Sequence, residues 1–260
     1  MCSLTFISRD DGYVLAMNRD ELTSRRVASP PTLTELGGAV YPRDSAGGTW
    51  IAANLHGIAL ALLNWNDVAQ PAAPKGRSRG VVIPYLIQFS RARDIQKAIG
   101  QFDLGGIWPF RLVGVIPEEK SILEWRWSSE RLEFQHHEWE SRHWFSCGIS
   151  DEQAAGLRGA ACRSAWDEDG SGSLPWLRKL HASHANGPGP FSVCVHRENV
   201  ETLSYTEFEC TSQKLECRYF SGSPCVMLTA GGPANGLTLQ TYDLLKSASA
   251  RIIFLEGRAG

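Results

Sequence analysis

Long apolar runs are absent from the sequence. Its 260 residues contain no stretch of about 18 consecutive apolar residues, which excludes a membrane-spanning helix. The N-terminal segment turns polar at Ser8 and lacks a basic lead, so we expect no secretory signal. A formal net charge of −2 gives no reason to expect a nucleic-acid partner. These absences predict a cytoplasmic chain with no membrane span and no nucleic-acid partner.

The sequence also lacks paired metal-binding motifs. Its seven cysteines include no Cys-x-x-Cys pair, and an odd number of thiols fits a reducing compartment better than a disulfide framework. Cys210, Cys217 and Cys225 are too loosely spaced for a structural zinc site. His136 and His137 are adjacent, and neighbouring residues on a strand point to opposite faces. The sequence therefore predicts no metal and no cofactor.

The remaining composition is that of an ordinary globular protein, with 43% hydrophobic and 21% charged residues. No internal repeat or low-complexity tract divides the chain. We therefore expect one domain over residues 1–260. The densest basic run, from Lys75 to Arg79, is interrupted by glycine and serine, and we expect it to be a solvated loop.

The first 21 residues have the pattern of a β-hairpin. Two short apolar runs flank a polar turn that ends at Gly12. If the loop is 10–12, with Gly12 in the left-handed conformation, Cys2 faces Asp20. A one-residue change in the loop instead places Arg19 or Glu21 opposite Cys2. In each register the charged end of the second strand lies beside the first cysteine.

Position two gives Cys2 a chemical role if the initiator methionine is removed. The α-amine has an ordinary pKa of about 7.7–8.0 and the thiol one of about 8.5, so the amine can accept the proton of its own side chain. A nearby carboxylate and guanidinium would hold the amine and tune the thiolate. The alternative is a small buried strand residue, with the charged residues at a solvated strand end.

The rest of the chain alternates strands and helices. We expect a second hairpin, a helical pair, an antiparallel meander, a second helical pair and closing strands. The segments 22–33 and 66–80 contain prolines and are expected to be loops, the latter a lid. The predicted elements are strands at 49–53 and 58–63, helices at 81–89 and 92–102, strands at 110–116, 121–127 and 131–134, helices at 153–166 and 175–184, strands at 191–196, 202–206, 214–220 and 226–228, an amphipathic stretch at 241–245 and an edge strand at 251–255. This order predicts an α+β fold of two mostly antiparallel sheets packed face to face, with helices outside.

Several motifs in the first quarter of the chain resemble those of one family. They are Met1-Cys2 before an apolar strand, Ala16-Met17-Asn18-Arg19-Asp20-Glu21, Arg25, Gly47-Gly48-Thr49-Trp50, and Asn54-Leu55-His56-Gly57 running to Leu63-Asn64-Trp65. Together they resemble the NRDE family, which includes the transport and Golgi organisation protein 2 group. The same half is similar to the N-terminal-nucleophile hydrolases that cleave penicillin V and conjugated bile acids. The resemblance implies a four-layer αββα sandwich.

The resemblance also implies roles for residues of this chain. Cys2 would be the nucleophile, Asp20 would hold its amine and Asn64 would bind the oxyanion. Arg19 or Arg25 would set the positive potential or bind an anionic group of the substrate. The chain departs from the acylases at Met17, where they have arginine, at Asp151, near which they have asparagine, and near Phe191, where their late arginine has no clear counterpart. The residues expected to contact the substrate are Asn18, Glu21, Arg25, Trp50 and Trp65.

The leading hypothesis is an amidohydrolase that cleaves a non-peptide amide or a thioester in a small molecule. The rival is a non-catalytic binding or trafficking protein for haem or acyl-lipid that uses the same pocket, and the missing acylase counterparts favour it. A structural module without pocket chemistry would leave the charged motif unexplained. No oligomeric state follows from the sequence.

Overall fold

The architecture is known from a computed structural model that describes residues 2–25, 27–35, 37–69, 77–185, 187–229 and 237–245. The strands of the described residues are β1 (Cys2–Arg9), β2 (Gly12–Leu22), β3 (Ser29–Leu33), β4 (Ala39–Arg43), β5 (Ile51–Asn54), β6 (Ala59–Asn64), β7 (Phe110–Ile116), β8 (Ser121–Trp127), β9 (Leu132–His137), β10 (Arg142–Ser146), β11 (Val200–Cys210), β12 (Lys214–Ser221) and β13 (Thr238–Asp243). The helices are α1 (Val82–Leu86), α2 (Ala92–Gln101), α3 (Asp151–Trp166), α4 (Leu174–His181) and α5 (Pro224–Thr229), with 3-10 turns at Arg79–Val81 and Pro117–Glu119.

The strands form two antiparallel sheets. The first has the order β10-β1-β2-β11-β12-β13, and the second has the order β3-β4-β5-β6-β7-β8-β9. Apolar side chains from both sheets, such as Leu15 and Val113, pack together between them. Helices α1 and α2 cover the outer face of the second sheet, while α3 and α4 cover that of the first. The predicted α+β fold, a four-layer αββα sandwich, is confirmed.

The first hairpin has a loop one residue shorter than 10–12. Arg9 pairs with Gly12, so the loop is the two residues 10–11, and Cys2 pairs with Arg19. Gly12 is not the left-handed loop residue. A Cβ atom there would lie 1.9 Å from the carbonyl oxygen of Cys210, so glycine lets β2 and β11 approach each other. Because side chains alternate along a strand, this register places Arg19 between the sheets and Asp20 on the outer, helical face.

The loop predicted for segment 22–33 because of its prolines is wrong in its second half. The second half of this segment is β3, which carries Pro30 and Pro31 and lies at the edge of the second sheet. Proline is tolerated on an edge strand because one side of its backbone has no ladder partner. The following strand, β4, was not predicted.

Three further predictions about the last third differ from the structure. The predicted strand at 191–196 is irregular and makes one isolated bridge, between His196 and Glu201. Residues 226–228 belong to helix α5, and the stretch around 241–245 overlaps strand β13. The predicted edge strand at 251–255 lies outside the described residues.

Helix α3 packs on the first sheet with an unusual buried residue. Ser150 caps its N-terminus by accepting a hydrogen bond from the backbone N–H of Gln153. Ala154, Arg158 and Cys162, spaced by four residues, share the buried face. The packing of α3 therefore brings the Arg158 guanidinium to the outer face of β1 and β2.

Among the described helices, none is long and apolar enough to cross a membrane.

Candidate active site

A cavity of about 510 Å³ opens at one end of the two sheets. The start of β1, the end of β2, the residues before β5, the end of β6 and the segment before α1 all contribute to it. Its size is in the range of small-molecule sites. The lining residues are Cys2, Arg19, Asp20, Glu21, Arg25, Thr49, Trp50, Leu62, Asn64, Arg77, Ser78, Arg79, Gly80 and Trp108.

Cys2 lies at the inner wall of this cavity. It pairs with Arg19 on one side and with Ser146 on the other, and its side chain is 6% exposed. Burial raises the pKa of the Cys2 thiol, and the negative charge of Asp20 acts in the same direction. The positive charge of Arg19 and a hydrogen bond from the Asp20 backbone lower the pKa. The protonated thiol is thus favoured at neutral pH, so its reaction as a nucleophile requires a base.

Asp20 is a buried carboxylate held by two groups. Its Oδ1 accepts a hydrogen bond of 2.7 Å from the Thr202 hydroxyl, and its Oδ2 lies 3.7 Å from Nη1 of Arg158. Burial raises the pKa of the Asp20 carboxyl, while the charge of Arg158 and the bond from Thr202 lower it. The two partners oppose the effect of burial and orient the carboxylate behind Cys2.

Arg158 is a supporting residue that the sequence analysis missed. Its side chain is fully buried, and its Nη1 donates to the Ser3 hydroxyl at 2.9 Å and to the carbonyl oxygen of Cys2 at 3.3 Å. Its Nη2 donates to the carbonyl oxygen of Pro190 at 2.9 Å. The guanidinium therefore joins the backbone of the candidate nucleophile to the candidate acid. The four-residue spacing from Ala154 through Arg158 was the available signal.

Arg19 and Trp50 form one wall of the cavity. The Arg19 guanidinium carbon lies 4.5 Å from the centre of the Trp50 ring, a cation–π arrangement. Glu21 lies 3.6 Å from Arg19 and 3.1 Å from Arg25, so its carboxylate bridges the two guanidinium groups. The bridge fixes a cation beside Cys2.

Arg79 is a second residue that the sequence analysis missed. Its Nη1 donates to Oδ1 of Asn64 at 2.5 Å, which leaves the NH₂ end of the Asn64 amide to act as a donor. Burial lowers the pKa of Arg79 to about 10, so it stays cationic at neutral pH. Its guanidinium carbon lies 5.3 Å from the centre of the Trp108 ring. The bond to Asn64 orients the predicted oxyanion donor.

The segment that carries Arg79 agrees only in part with the predicted solvated loop: Arg77 and Ser78 are exposed, Arg79 is half-buried, and residues 70–76 of the predicted lid lie outside the described residues. Its described part, from Arg77 to Gly80, lines the cavity. The carbonyl oxygen of Gly80 accepts a hydrogen bond of 3.1 Å from the backbone N–H of Thr49. A Cβ atom on Gly48 would lie 3.0 Å from the Gly80 Cα, so the two backbones approach closely because both residues are glycines.

Two of the predicted substrate-binding residues lie away from the cavity. Asn18 is fully buried on the outer face, where its amide donates to the carbonyl oxygens of His181 and Val193. Trp65 follows β6, its backbone N–H donates to Pro109, and it is not among the lining residues. The other predicted residues, which are Cys2, Arg19, Asp20, Glu21, Arg25, Trp50 and Asn64, all line the cavity.

The positions where the chain departs from the acylases are structural here. Met17 is fully buried in the core between the sheets. The Asp151 carboxylate accepts hydrogen bonds from the backbone N–H groups of Cys147 and Asn66, both at 2.6 Å, and so ties the chain after β6 to the start of α3. Phe191 packs against the cluster under α3 and α4.

The charges of the cavity favour an anion. Four guanidinium groups face two carboxylates among the lining residues. The positive potential would repel a cationic ligand, whereas a carboxylate or phosphate could accept bidentate hydrogen bonds from the guanidinium groups. Apolar surface from Trp50, Leu62 and Trp108 lies beside the charges. The arrangement suits a ligand with an anionic group and an apolar part.

Two solved structures are similar to this chain. The structure resembles penicillin V acylase from Agrobacterium tumefaciens with a TM-score of 0.50 and 12% identity, over 85% of this chain and 83% of that one. It also resembles the C2A mutant of conjugated bile acid hydrolase from Clostridium perfringens with a TM-score of 0.47 and 10% identity, over 94% of this chain and 92% of that one. At this identity the likeness to the acylase concerns the fold alone.

The family was identified from the sequence itself. A comparison with curated proteins found no match. A family model described as Transport and Golgi organisation 2 matches residues 1–153. The match spans more than half of the chain and includes the Cys2 strand, the charged end of β2 and the Asn64 strand end. The chain belongs to the Transport and Golgi organisation 2 family.

Proposed function

We propose that the chain is an N-terminal-nucleophile amidohydrolase that cleaves a non-peptide amide or a thioester, with Cys2 as the nucleophile. The observation that carries the proposal is the position of Cys2 on the wall of the cavity, next to the buried carboxylate of Asp20. Removal of Met1 would add the α-amine to this pair. A reducing compartment such as the cytoplasm would keep the sulfur as a thiol.

In the proposed reaction the α-amine of Cys2 accepts the thiol proton. The sulfur then bonds to the substrate carbonyl carbon, and the π pair of the carbonyl moves to its oxygen. When this oxyanion collapses, the carbon–nitrogen bond of an amide or the carbon–sulfur bond of a thioester breaks, and the leaving nitrogen or sulfur takes the proton from the α-ammonium. Water, deprotonated by the same amine, cleaves the resulting thioester and returns the thiol. Asp20 orients the amine and stabilises its charged form.

Asn64 and the arginines supply the electrostatic part of the proposal. The Asn64 amide, oriented by Arg79, donates to the oxyanion that forms at the cavity wall. The guanidinium groups of Arg19 and Arg79 place positive charge near the developing thiolate and oxyanion. Because the cavity carries two further arginines, we propose a substrate with an anionic group close to the scissile bond.

The experiment is a screen of amides and thioesters on protein from which Met1 has been removed. Each compound is offered with a carboxylate and as its neutral methyl ester. We expect hydrolysis of the anionic member of a pair, loss of hydrolysis in Cys2→Ala, and full activity in Cys162→Ser, which alters a buried thiol on α3 away from the cavity.

The rival proposal, a binding protein for haem or acyl-lipid, is tested on the same variants. Titration with haem and with an acyl-CoA measures saturation without turnover. A ligand that saturates Cys2→Ala as it does the unaltered chain, together with no hydrolysis of any compound, would overturn the hydrolase proposal and support the binder.

A further inference from the structure

Two thiols and two imidazoles converge behind Asp20, outside the cavity. His184 follows helix α4, Cys194 and His196 lie in the irregular segment before β11, and Cys225 lies in helix α5. One ligand atom from each residue lies within 4.8 Å of all the others. We propose that these four residues bind one Zn²⁺ ion.

The distances fit a tetrahedral ion. Nε2 of His196 lies 3.6 Å from the sulfur of Cys194 and 3.3 Å from the sulfur of Cys225. Zinc bonds of about 2.0–2.1 Å to nitrogen and about 2.3 Å to sulfur give edges of roughly 3.3–3.8 Å between the ligands of a tetrahedron. The side chains therefore need only small shifts to close around an ion.

His184 provides an independent observation. Its Nε2 is buried and has no hydrogen-bond partner among the described residues. A buried polar atom without a partner is costly and calls for an explanation such as an ion. Its ring centre lies 4.9 Å from that of His196, at an angle of 69°. The unpartnered nitrogen thus belongs to the ring beside the two sulfurs.

The donor set selects the metal. Two thiolates and two neutral imidazoles make the Cys₂His₂ set that binds zinc tetrahedrally. Ca²⁺ and Mg²⁺ prefer oxygen ligands, and the cluster offers none from its four side chains. Four protein ligands leave no open position, so the site is structural and does not bind substrate.

Such an ion would stabilise the segments that hold Thr202, the residue that donates a hydrogen bond to Asp20. Val195, between two of the proposed ligands, donates its backbone N–H to the Thr202 hydroxyl at 2.8 Å, and that hydroxyl donates to Asp20 at 2.7 Å. Ser223, close to Cys225 in sequence, donates its hydroxyl to the carbonyl oxygen of Thr202 at 2.8 Å. The ion would join both segments that hold Thr202.

The test measures bound metal on the full chain in the Cys2→Ala background, which removes the cavity thiol as a competing ligand. The protein is purified with added zinc, desalted and analysed by elemental mass spectrometry. We expect one zinc per chain, and replacement by Co²⁺ should produce the visible ligand-field bands and the thiolate charge-transfer band of a tetrahedral Cys₂His₂ site.

Two single variants and one control keep the proposal falsifiable. Cys225→Ser and His184→Gln alter half-buried residues, so we expect both to fold and to lose the zinc and the cobalt bands. Cys162→Ser, which changes a buried thiol outside the cluster, should retain them. A strong chelator should lower the melting temperature of the control and leave that of His184→Gln unchanged.

Four results would overturn the site. The first three are a folded chain that retains no zinc, cobalt spectra without thiolate charge transfer, and zinc retained in both ligand variants. A disulfide between Cys194 and Cys225 in protein purified without oxidant would also overturn it, because the thiolates would then be unavailable.

Discussion

The buried pair of Arg158 and Asp20 provides the sharpest test of the packing behind the cavity. In Arg158→Met the helix keeps an unbranched apolar side chain in place of the arginine stem, but Asp20 loses the cation 3.7 Å from its Oδ2. The hydroxyl of Ser3 and the carbonyl oxygen of Pro190 lose donors that lie 2.9 Å away. Removing one partner of a buried ion pair costs about 3–5 kcal/mol, because the remaining charge stays buried. We expect a loss of this size in the free energy of unfolding at pH 7.

The loss should depend on pH in a defined direction. Burial raises the pKa of Asp20 above its ordinary value of 3.8, and Arg158 opposes that rise. Without Arg158 the folded-state pKa rises further. Below the ordinary value the acid is neutral in both the folded and unfolded chains, so its charge then costs nothing. The loss in the free energy of unfolding of Arg158→Met should therefore be smallest in acid. It should grow as the pH rises from the folded-state pKa of Asp20 in the unaltered chain to the higher one in the variant.

The measurement is urea unfolding of both chains, with and without Asp20→Asn. Because Asp20→Asn removes the buried charge, the two substitutions should be non-additive by about 0.5–3 kcal/mol. Arg163→Met is the matched control, since Arg163 is exposed on the same helix, and it should stay within about 0.5 kcal/mol of the unaltered chain. A loss below about 1 kcal/mol in Arg158→Met, or additivity with Asp20→Asn, would refute the reasoning.

Two further predictions concern stability. In Gly12→Ala the new Cβ would lie 1.9 Å from the Cys210 carbonyl oxygen, so urea unfolding should show a loss of about 3 kcal/mol or more in the free energy of unfolding. The control Gly156→Ala has open space on helix α3 and should gain about 0.5–1 kcal/mol. Equal effects of the two substitutions would contradict the strand contact. Burial lowers the pKa of His181 to about 3 from an ordinary value of 6.5, so the free energy of unfolding should fall by up to about 4–5 kcal/mol as the pH is lowered from 6.5 to 3. His181→Gln should flatten the acid side of the urea-midpoint profile, and an unchanged profile would show that His181 is protonated in the fold.

The hydrogen bonds of His181 explain this expectation. Its Nδ1 bonds to Oδ1 of Asn18 at 3.0 Å, and its Nε2 bonds to the Thr5 hydroxyl at 3.0 Å. The same hydroxyl bonds to Nδ1 of His143, whose Nε2 accepts from the Trp166 indole at 3.1 Å. The chain of bonds is satisfied when both imidazoles are neutral, because each then has one donor and one acceptor.

The layers of the fold and one side of the cavity could be predicted from the sequence. Short apolar runs with tight turns predict antiparallel sheets, and strand alternation brings Cys2 beside the charged end of β2 in any close register. The register itself was not predictable, because the approach of β11 to Gly12 selects the shorter loop. That contact joins residues far apart in sequence and has no local signal.

The other side of the cavity depends on tertiary contacts. Arg158 and Thr202 reach Asp20 from a helix and a strand that are distant in sequence. Arg79 lies in a basic run interrupted by glycine and serine, a pattern typical of exposed loops. In the fold Gly80 approaches Gly48, and Arg79 bonds to Asn64. Such contacts follow from how the sheets pack.

As a nucleophile, Cys2 must be a reactive N-terminal thiol at the cavity wall. The most direct measurement is limited labelling with a thiol-reactive electrophile, followed by intact-mass and peptide-mass analysis. We predict a chain that lacks Met1 and carries one adduct, on Cys2, which forms more slowly in Asp20→Asn. A retained Met1, or a Cys2 that reacts no faster than the other six cysteines, would contradict the claim.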